Sequence, residues 1–230
     1  MKTNSLSKKQ NHKKDWERDG FLIFPKVLSP DECGQLKEKG LQVLETHAKP
    51  GATVYVGCAV ASPDFARLAE HPTIVNILRQ LMPDGIEFLS DKLVYKKPGK
   101  SFATPWHVDA WYWKGTRPKL SVWIPFADTC ADGGTLTVLP GSHRCEWSVQ
   151  KTKRVDGGEF SEFIDETELN GQDIRVCEIE AGTAIIFSDR LLHGSTASQG
   201  TRERYAIIST YHAPGNEPFD QNFLARKVIT

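Results

Sequence analysis

Cysteine is sparse and unpatterned: Cys33, Cys58, Cys130, Cys145 and Cys177 are odd in number and form no C-x-x-C pair. A disulfide framework needs an even set, usually in a smaller secreted chain, so these thiols point to a reducing compartment, the cytoplasm. Long apolar runs are missing; nothing approaches the ~18 consecutive apolar residues of a membrane span. The opening MKTNSLSKKQNHKK is too polar for a secretory leader. Net charge is absent as well, since Lys+Arg and Asp+Glu both number 29, and this gives no electrostatic case for nucleic acid or a membrane surface as partner. There is no internal repeat or low-complexity block. With 39% hydrophobic and 25% charged residues the chain sits near the globular average, which excludes collagen, coiled coil and wholesale disorder.

What charge there is lies unevenly. Lys2, Lys8, Lys9, Lys13 and Lys14 place +5 in the first fourteen residues, which reads as a disordered basic tail over 1–14 ahead of a single domain over 15–230. Ser29-Pro30-Asp31-Glu32 has the form of a helix start, with Ser29 as N-cap and Glu32 three residues on. Cys33, Leu36, Gly40, Leu41 and Leu44 then follow helical spacing, and a second helix is expected over Pro72–Leu81. Beyond residue 85 the pattern changes to short β-like runs: Ile86–Tyr95, Leu120–Phe126, Leu136–Leu139, Ile174–Ile179, Thr183–Phe187 and Tyr205–Tyr211. Turn clusters such as Asp132-Gly133-Gly134 and Pro140-Gly141-Ser142 separate them. The expected fold is mainly β with N-terminal helices, a jelly roll or closed barrel. Gln150–Asp173 has little strand character and is expected to be an insertion loop at the barrel mouth, a lid.

Of the seven histidines, one stands in an H-x-D arrangement, Trp106-His107-Val108-Asp109. On a strand, residues two apart share a face, so His107 and Asp109 are placed to share one metal ion. His193, in Leu192-His193-Gly194-Ser195, is the best-positioned third ligand. Two imidazoles and a carboxylate on one face of an octahedron leave three positions open, the ligand set of non-haem Fe(II) oxygenases. Arg204 lies eleven residues after His193, at the head of the Tyr205–Tyr211 run. An arginine projecting into a barrel needs an anionic partner, and a dicarboxylate cosubstrate offers one in bidentate form. A salt bridge to Glu203 is the other reading, and Arg202 competes for the role. Trp111 and Trp113 follow the metal motif and are placed to line a substrate pocket, with barrel-mouth packing as the alternative. Lys114, Arg117 and Lys119 come next, either facing an anionic substrate or solvated.

Four ordered motifs resemble the phytanoyl-CoA dioxygenase (PhyH) family: Trp106-His107-Val108-Asp109; Ser121-Val122-Trp123-Ile124-Pro125-Phe126-Ala127-Asp128; Gly133-Gly134-Thr135-Leu136-Thr137-Val138-Leu139-Pro140-Gly141-Ser142-His143; and His193-Gly194-Ser195 with Arg204. The resemblance spans roughly residues 15–212. It implies a double-stranded β-helix, cupin-like, and an oxygenase dependent on Fe(II), 2-oxoglutarate and O2. It implies that His107, Asp109 and His193 are the metal-ligating and catalytic triad. Arg204 matches the arginine that pairs with the distal carboxylate of 2-oxoglutarate, Ser195 the hydroxyl supporting it, and Trp123 a tryptophan lining that pocket. Lys92 falls where the family places a cosubstrate-facing side chain, its other reading being a solvated strand lysine. His143 belongs to the P-G-S-H turn and is read as structural, and His212 as an ordinary barrel histidine.

The implied reaction is hydroxylation of an unactivated C–H of a small-molecule metabolite, with release of succinate and CO2. The intact Asp109 carboxylate favours hydroxylation over halogenation. Two rivals stand beside it: a cupin-like isomerase or hydrolase on the same triad, which has no use for Arg204, and a non-catalytic jelly-roll binding module, which tolerates loss of His193.

Overall fold

The computed structural model describes residues 12–97, 102–112, 117–151, 162–201, 203–215 and 227–229. The chain opens with a helix over residues 12–19 (α1), then β1 (Phe21–Phe24), α2 (Pro30–His47), β2 (Val54–Val56), α3 (Cys58–Ala61), α4 (Pro63–Ala69) and α5 (Pro72–Leu81). Strands follow: β3 (Ile86–Lys96), β4 (Thr104–His107), β5 (Lys119–Pro125), β6 (Thr137–Val138), β7 (Gln150–Lys151), β8 (Glu162–Phe163), β9 (Arg175–Val176), β10 (Ala184–Ser188), β11 (His193–Ser195), β12 (Arg204–His212) and β13 (Lys227–Ile229).

A large antiparallel sheet runs β1-β10-β5-β12-β3-β13, with β2 also on β3, and a smaller one runs β4-β11-β6-β9. The two sheets face each other as a double-stranded β-helix. The large sheet has two differently used faces. One carries Leu93, Tyr95, Val122, Ile124, Ile186, Tyr205 and Ile207 into a core shared with Leu36, Val43, Phe65, Ile74 and Leu78 of the helices. The other carries Trp123, Ile185, Phe187 and Ala206, which meet Leu136, Val138, Cys177 and Leu191 in the barrel interior. Full burial of each such aliphatic side chain contributes roughly 1.5–3 kcal/mol.

Local chemistry explains the elements. Ser29 and Glu32 form a complete capping box at the start of α2. On α5 the residues Ile74, Val75, Ile77 and Leu78 are buried at helical spacing. In β3 the pairing with β12 skips Leu89, as Thr210 opposes Ser90 and Tyr211 opposes Phe88. This bulge reverses which alternate residues face the helices beyond that point.

Two expectations are corrected, and the insertion expected over Gln150–Asp173 is described in part. The tail expected over 1–14 ends earlier, because residues 12–14 lie in α1, closed by Gly20 (φ +79°) with its N–H on the Trp16 carbonyl at 2.8 Å; residues 1–11 lie outside the described residues. Of the strand expected over Ile174–Ile179, Arg175–Val176 pairs with β6. Cys177 then turns into the interior cluster, leaving Ile174 and Val176 exposed at the sheet edge. Residues 152–161 of the Gln150–Asp173 segment lie outside the described residues, but its second half docks. Ile164 and Leu169 are buried against Trp106, Val108, Leu139 and Leu192, and the Ile164 N–H bonds the Trp106 carbonyl at 2.8 Å.

Candidate active site

The antiparallel pairing of β4 with β11 sets His107 directly opposite His193. Both rings are buried and their centroids lie 4.2 Å apart. One local device orients both. The Nδ1 of His107 lies 2.9 Å from the Pro105 carbonyl and the Nδ1 of His193 lies 2.9 Å from the Leu191 carbonyl, each two residues back. A carbonyl can only accept, so Nδ1 carries the proton and each Nε2 keeps its lone pair.

β4 ends at His107, so Asp109 does not sit two places along a strand as the H-x-D spacing suggested. It opens a short 3-10 turn, Asp109–Trp111, after the extended Val108. The turn returns the carboxylate to the same side: Oδ1 lies 3.4 Å from His107 Nε2 and 3.9 Å from His193 Nε2. Its Oδ2 accepts a hydrogen bond from Ser121 Oγ on β5 at 3.2 Å. The donor atoms of His107, Asp109 and His193 all lie within 4.8 Å of one another, as ligands of one ion must.

The charge states suit a divalent cation. Burial, helped by repulsion from His107, lowers His193 to about 4, so the imidazole is neutral and free to ligate. Burial opposes the Asp109 charge, but the facing imidazoles, His193 foremost, outweigh it and hold the carboxyl below the usual range. Two imidazoles, each with Nδ1 turned to a backbone carbonyl, and one carboxylate fit Fe(II).

Trp123 is buried on the interior face, opposite Ile208 of β12 and Ile185 of β10. Lys92 is also opposite Ile208, half-buried, and near enough to act electrostatically on both Asp109 and His193. Toward the other end of the same face stands Arg204, 6% exposed, with Cζ 5.7 Å from the Trp123 ring centroid. Burial lowers its guanidinium to about 10, which leaves it charged at neutral pH. Its Nε has no hydrogen-bond partner among the described residues. Ser195 is buried at the end of β11, in the smaller sheet. The interior therefore holds the triad of His107, Asp109 and His193, carried by the smaller sheet and the turn after β4, near one end and the buried cation of the large sheet at the other.

Other expected residues fall elsewhere. Trp111 is half-buried and packs on the Trp106, Val108 and Ile164 cluster, while Trp113 and Lys114 lie outside the described residues, as does Arg202. Lys119 is fully buried at the start of β5, its Nζ on the Arg117 carbonyl at 2.9 Å. Arg117 is exposed and donates to the Pro214 carbonyl at 2.7 Å. His143 packs against Gly20, and His212 pairs with buried Glu87 at 2.9 Å. Sequence reasoning missed Ser121 and Lys96, the second of which donates to Ser195 Oγ at 2.7 Å. Ser121 could have been found as the inward position two before Trp123. Lys96 was obscured by the Lys96-Lys97-Pro98-Gly99 run, which reads as a solvated turn.

The family model for phytanoyl-CoA dioxygenase (PhyH) matches residues 16–206. L-proline trans-4-hydroxylase of Streptomyces griseoviridis is 25% identical over 231 residues, covering 87% of this chain and 85% of that one. Ectoine dioxygenase of Sphingopyxis alaskensis is 26% identical over 247 residues, covering 92% and 81%. Among solved structures, EctD from S. alaskensis with 2-oxoglutarate and 5-hydroxyectoine superposes with a TM-score of 0.75 at 23% identity, over 96% of this chain and 84% of that one. The epimerase SnoN in complex with Fe3+, alpha ketoglutarate and nogalamycin RO gives 0.73 at 19% identity, over 90% and 84%.

Proposed function

Because the chain belongs to the phytanoyl-CoA dioxygenase (PhyH) family and is an Fe(II)- and 2-oxoglutarate-dependent dioxygenase, we propose that it hydroxylates an unactivated C–H of a small-molecule metabolite. In this reading His107, Asp109 and His193 hold the iron, and Arg204, Ser195 and Trp123 seat the cosubstrate. The single observation that carries it is the triad with both imidazoles locked on backbone carbonyls, facing the same interior as a buried, unsatisfied arginine.

When bound, iron and 2-oxoglutarate activate O2, one oxygen atom ending in succinate and the other in the new hydroxyl as CO2 leaves. The protein positions and shields. Asp109 contributes one negative charge to the metal and is itself held by Ser121. Arg204 meets the distal carboxylate in bidentate fashion, with the Trp123 indole beneath its guanidinium. Lys92 faces the cosubstrate from β3. Phe187, Ile185 and Val138 keep the interior dry. In this reading Trp111 lines the substrate side, and Trp113 is assigned there from its place in the sequence after the metal motif. The relatives named for proline and ectoine support a small substrate, and five cysteines that are odd in number and form no C-x-x-C pair support a cytoplasmic setting. Among the described residues no helix is long and apolar enough to cross a membrane.

The test is anaerobic: add Fe(II) and then 2-oxoglutarate to apo-protein and watch for the weak visible charge-transfer band, with Arg204→Ala in parallel. A band that needs more cosubstrate in the variant supports the assignment. Bound iron without a band supports the cupin-like isomerase or hydrolase, for which Arg204 is idle.

A further inference from the structure

The turn Pro140-Gly141-Ser142-His143 takes no part in the proposed chemistry, yet it grips the segment that delivers His193. Pro140 and Gly141 fill the centre of a type II turn: the Ser142 N–H donates to the Leu139 carbonyl at 3.2 Å, and Gly141 holds φ +79° and ψ −8°. The turn follows β6, whose Val138 pairs with His193, and the Leu139 N–H extends that pairing to the Leu192 carbonyl at 3.0 Å. Ser142 is thereby folded back over Leu192. It is 2% exposed, and its Oγ accepts the Leu192 N–H at 2.9 Å.

That N–H belongs to the same peptide unit as the Leu191 carbonyl, which lies 2.9 Å from Nδ1 of His193. A peptide is planar, so one rigid plane is held at both edges, by Ser142 on its N–H and by the His193 ring on its C=O. Leu191 and Leu192 are both fully buried, and bulk water does not replace a lost partner there. Hydrogen bonds linked in this way polarise one another, which makes the carbonyl a better acceptor for Nδ1–H. We propose, on the reading of His193 as an iron ligand, that Ser142 is a positioning residue for the metal site: through the peptide joining Leu191 to Leu192 it fixes the plane of the His193 imidazole and raises the basicity of Nε2. Without Oγ the Leu192 N–H stays buried and unbonded, or the peptide rotates and takes its carbonyl off Nδ1. Either way His193 loosens. His107 rests on a different carbonyl, that of Pro105, and lies outside this chain of bonds.

The experiment loads the protein with Co(II), because the Nδ1 protons of imidazoles bound to high-spin Co(II) give strongly shifted, exchangeable proton resonances. The parent is expected to show one for each histidine of the triad. Anaerobic Fe(II) competition against a chelator and thermal unfolding of the metal-free protein run beside it. Ser142→Ala is expected to weaken Fe(II) about tenfold. It should also speed solvent exchange of one shifted proton about tenfold or more and leave the other within about twofold. Ser142→Thr, which keeps the oxygen, is expected to return both readings toward the parent. Ser142→Cys, with a weak acceptor of similar size, serves if the alanine variant folds poorly. The control is Trp147→Phe, which removes the Trp147 Nε1–H bond to the Ser142 carbonyl at 3.3 Å and keeps Oγ. It should lower the unfolding midpoint with metal affinity and both protons unchanged. Equal loss of Fe(II) affinity in Trp147→Phe and Ser142→Ala, or both protons sped equally in Ser142→Ala, makes the turn a general structural support and overturns the proposal. Unchanged affinity and exchange in Ser142→Ala overturns it outright and leaves the triad standing. Fe(II) affinity indifferent to His193→Ala as well overturns the triad reading itself.

Discussion

The two ends of the barrel interior are built on opposite principles. At the triad end every group is already held by the protein: each imidazole is fixed by a carbonyl two residues back, and the carboxylate is fixed by Ser121 from the facing sheet. At the other end Arg204 lies buried with its charge uncompensated among the described residues, and Lys96 is buried across the sheet from it. The first end spends its hydrogen bonds on orientation, because a metal site must exist before the ion arrives. The second holds a buried cation without a counter-charge among the described residues, which on the proposed reading the dianionic cosubstrate supplies. A protein that must order metal and cosubstrate binding gains from this division. One end is preorganised, and the other is poised.

The contrast is tested hardest at the triad. His107→Ala or Asp109→Ala removes a ligand that no neighbour replaces, and bound iron and succinate release should both fall, the latter by about a thousandfold or more. Iron analysis beside succinate release checks this, and a variant that retains iron and turnover would move the metal elsewhere. Next in size is Arg204→Ala, expected to raise the 2-oxoglutarate Kd by about 10–100-fold, the worth of a charge-assisted bond, while iron content stays unchanged. Loss of iron in that variant would mean that the two ends are not separate. Smaller again is Ser121→Ala. Freeing Oδ2 of Asp109 costs orientation rather than a ligand, and iron affinity measured against a chelator should drop about tenfold, with 2-oxoglutarate affinity per bound iron unaltered.

How much of this was legible before any coordinates depended on where the interactions lie in the chain. The H-x-D motif, the distal His193 and the following Arg204 are local signals, and the structure brings the triad together. The capping box of α2 and the apolar stripe of α5 were equally local. What stayed hidden depends on register between distant strands. Nothing near Lys96 in sequence says that it faces Arg204; that follows from nine paired positions of β12 on β3, including the bulge at Leu89. Ser121 reaches Asp109 because β5 crosses the barrel opposite the 3-10 turn, a tertiary fact. The short helices α3 and α4 and the strand β1 lacked a long periodic signal, and their burial is dictated by the sheet they cover.

The last effect concerns stability without any ligand, and it separates the ends by sign. A lysine at about 6 in the fold and near its ordinary value when unfolded binds fewer protons folded than unfolded across that interval. Stability therefore rises with pH between about 6 and the ordinary lysine range, and below about 6 the folded protein must carry the buried charge in full. Lys96→Met removes this dependence. The variant should be more stable than the parent near pH 6, with the gap in unfolding midpoint narrowing as pH is raised toward 9. A gap of constant size across that pH range would show that Lys96 keeps an ordinary ammonium in the fold, and that the distal end is already satisfied rather than poised.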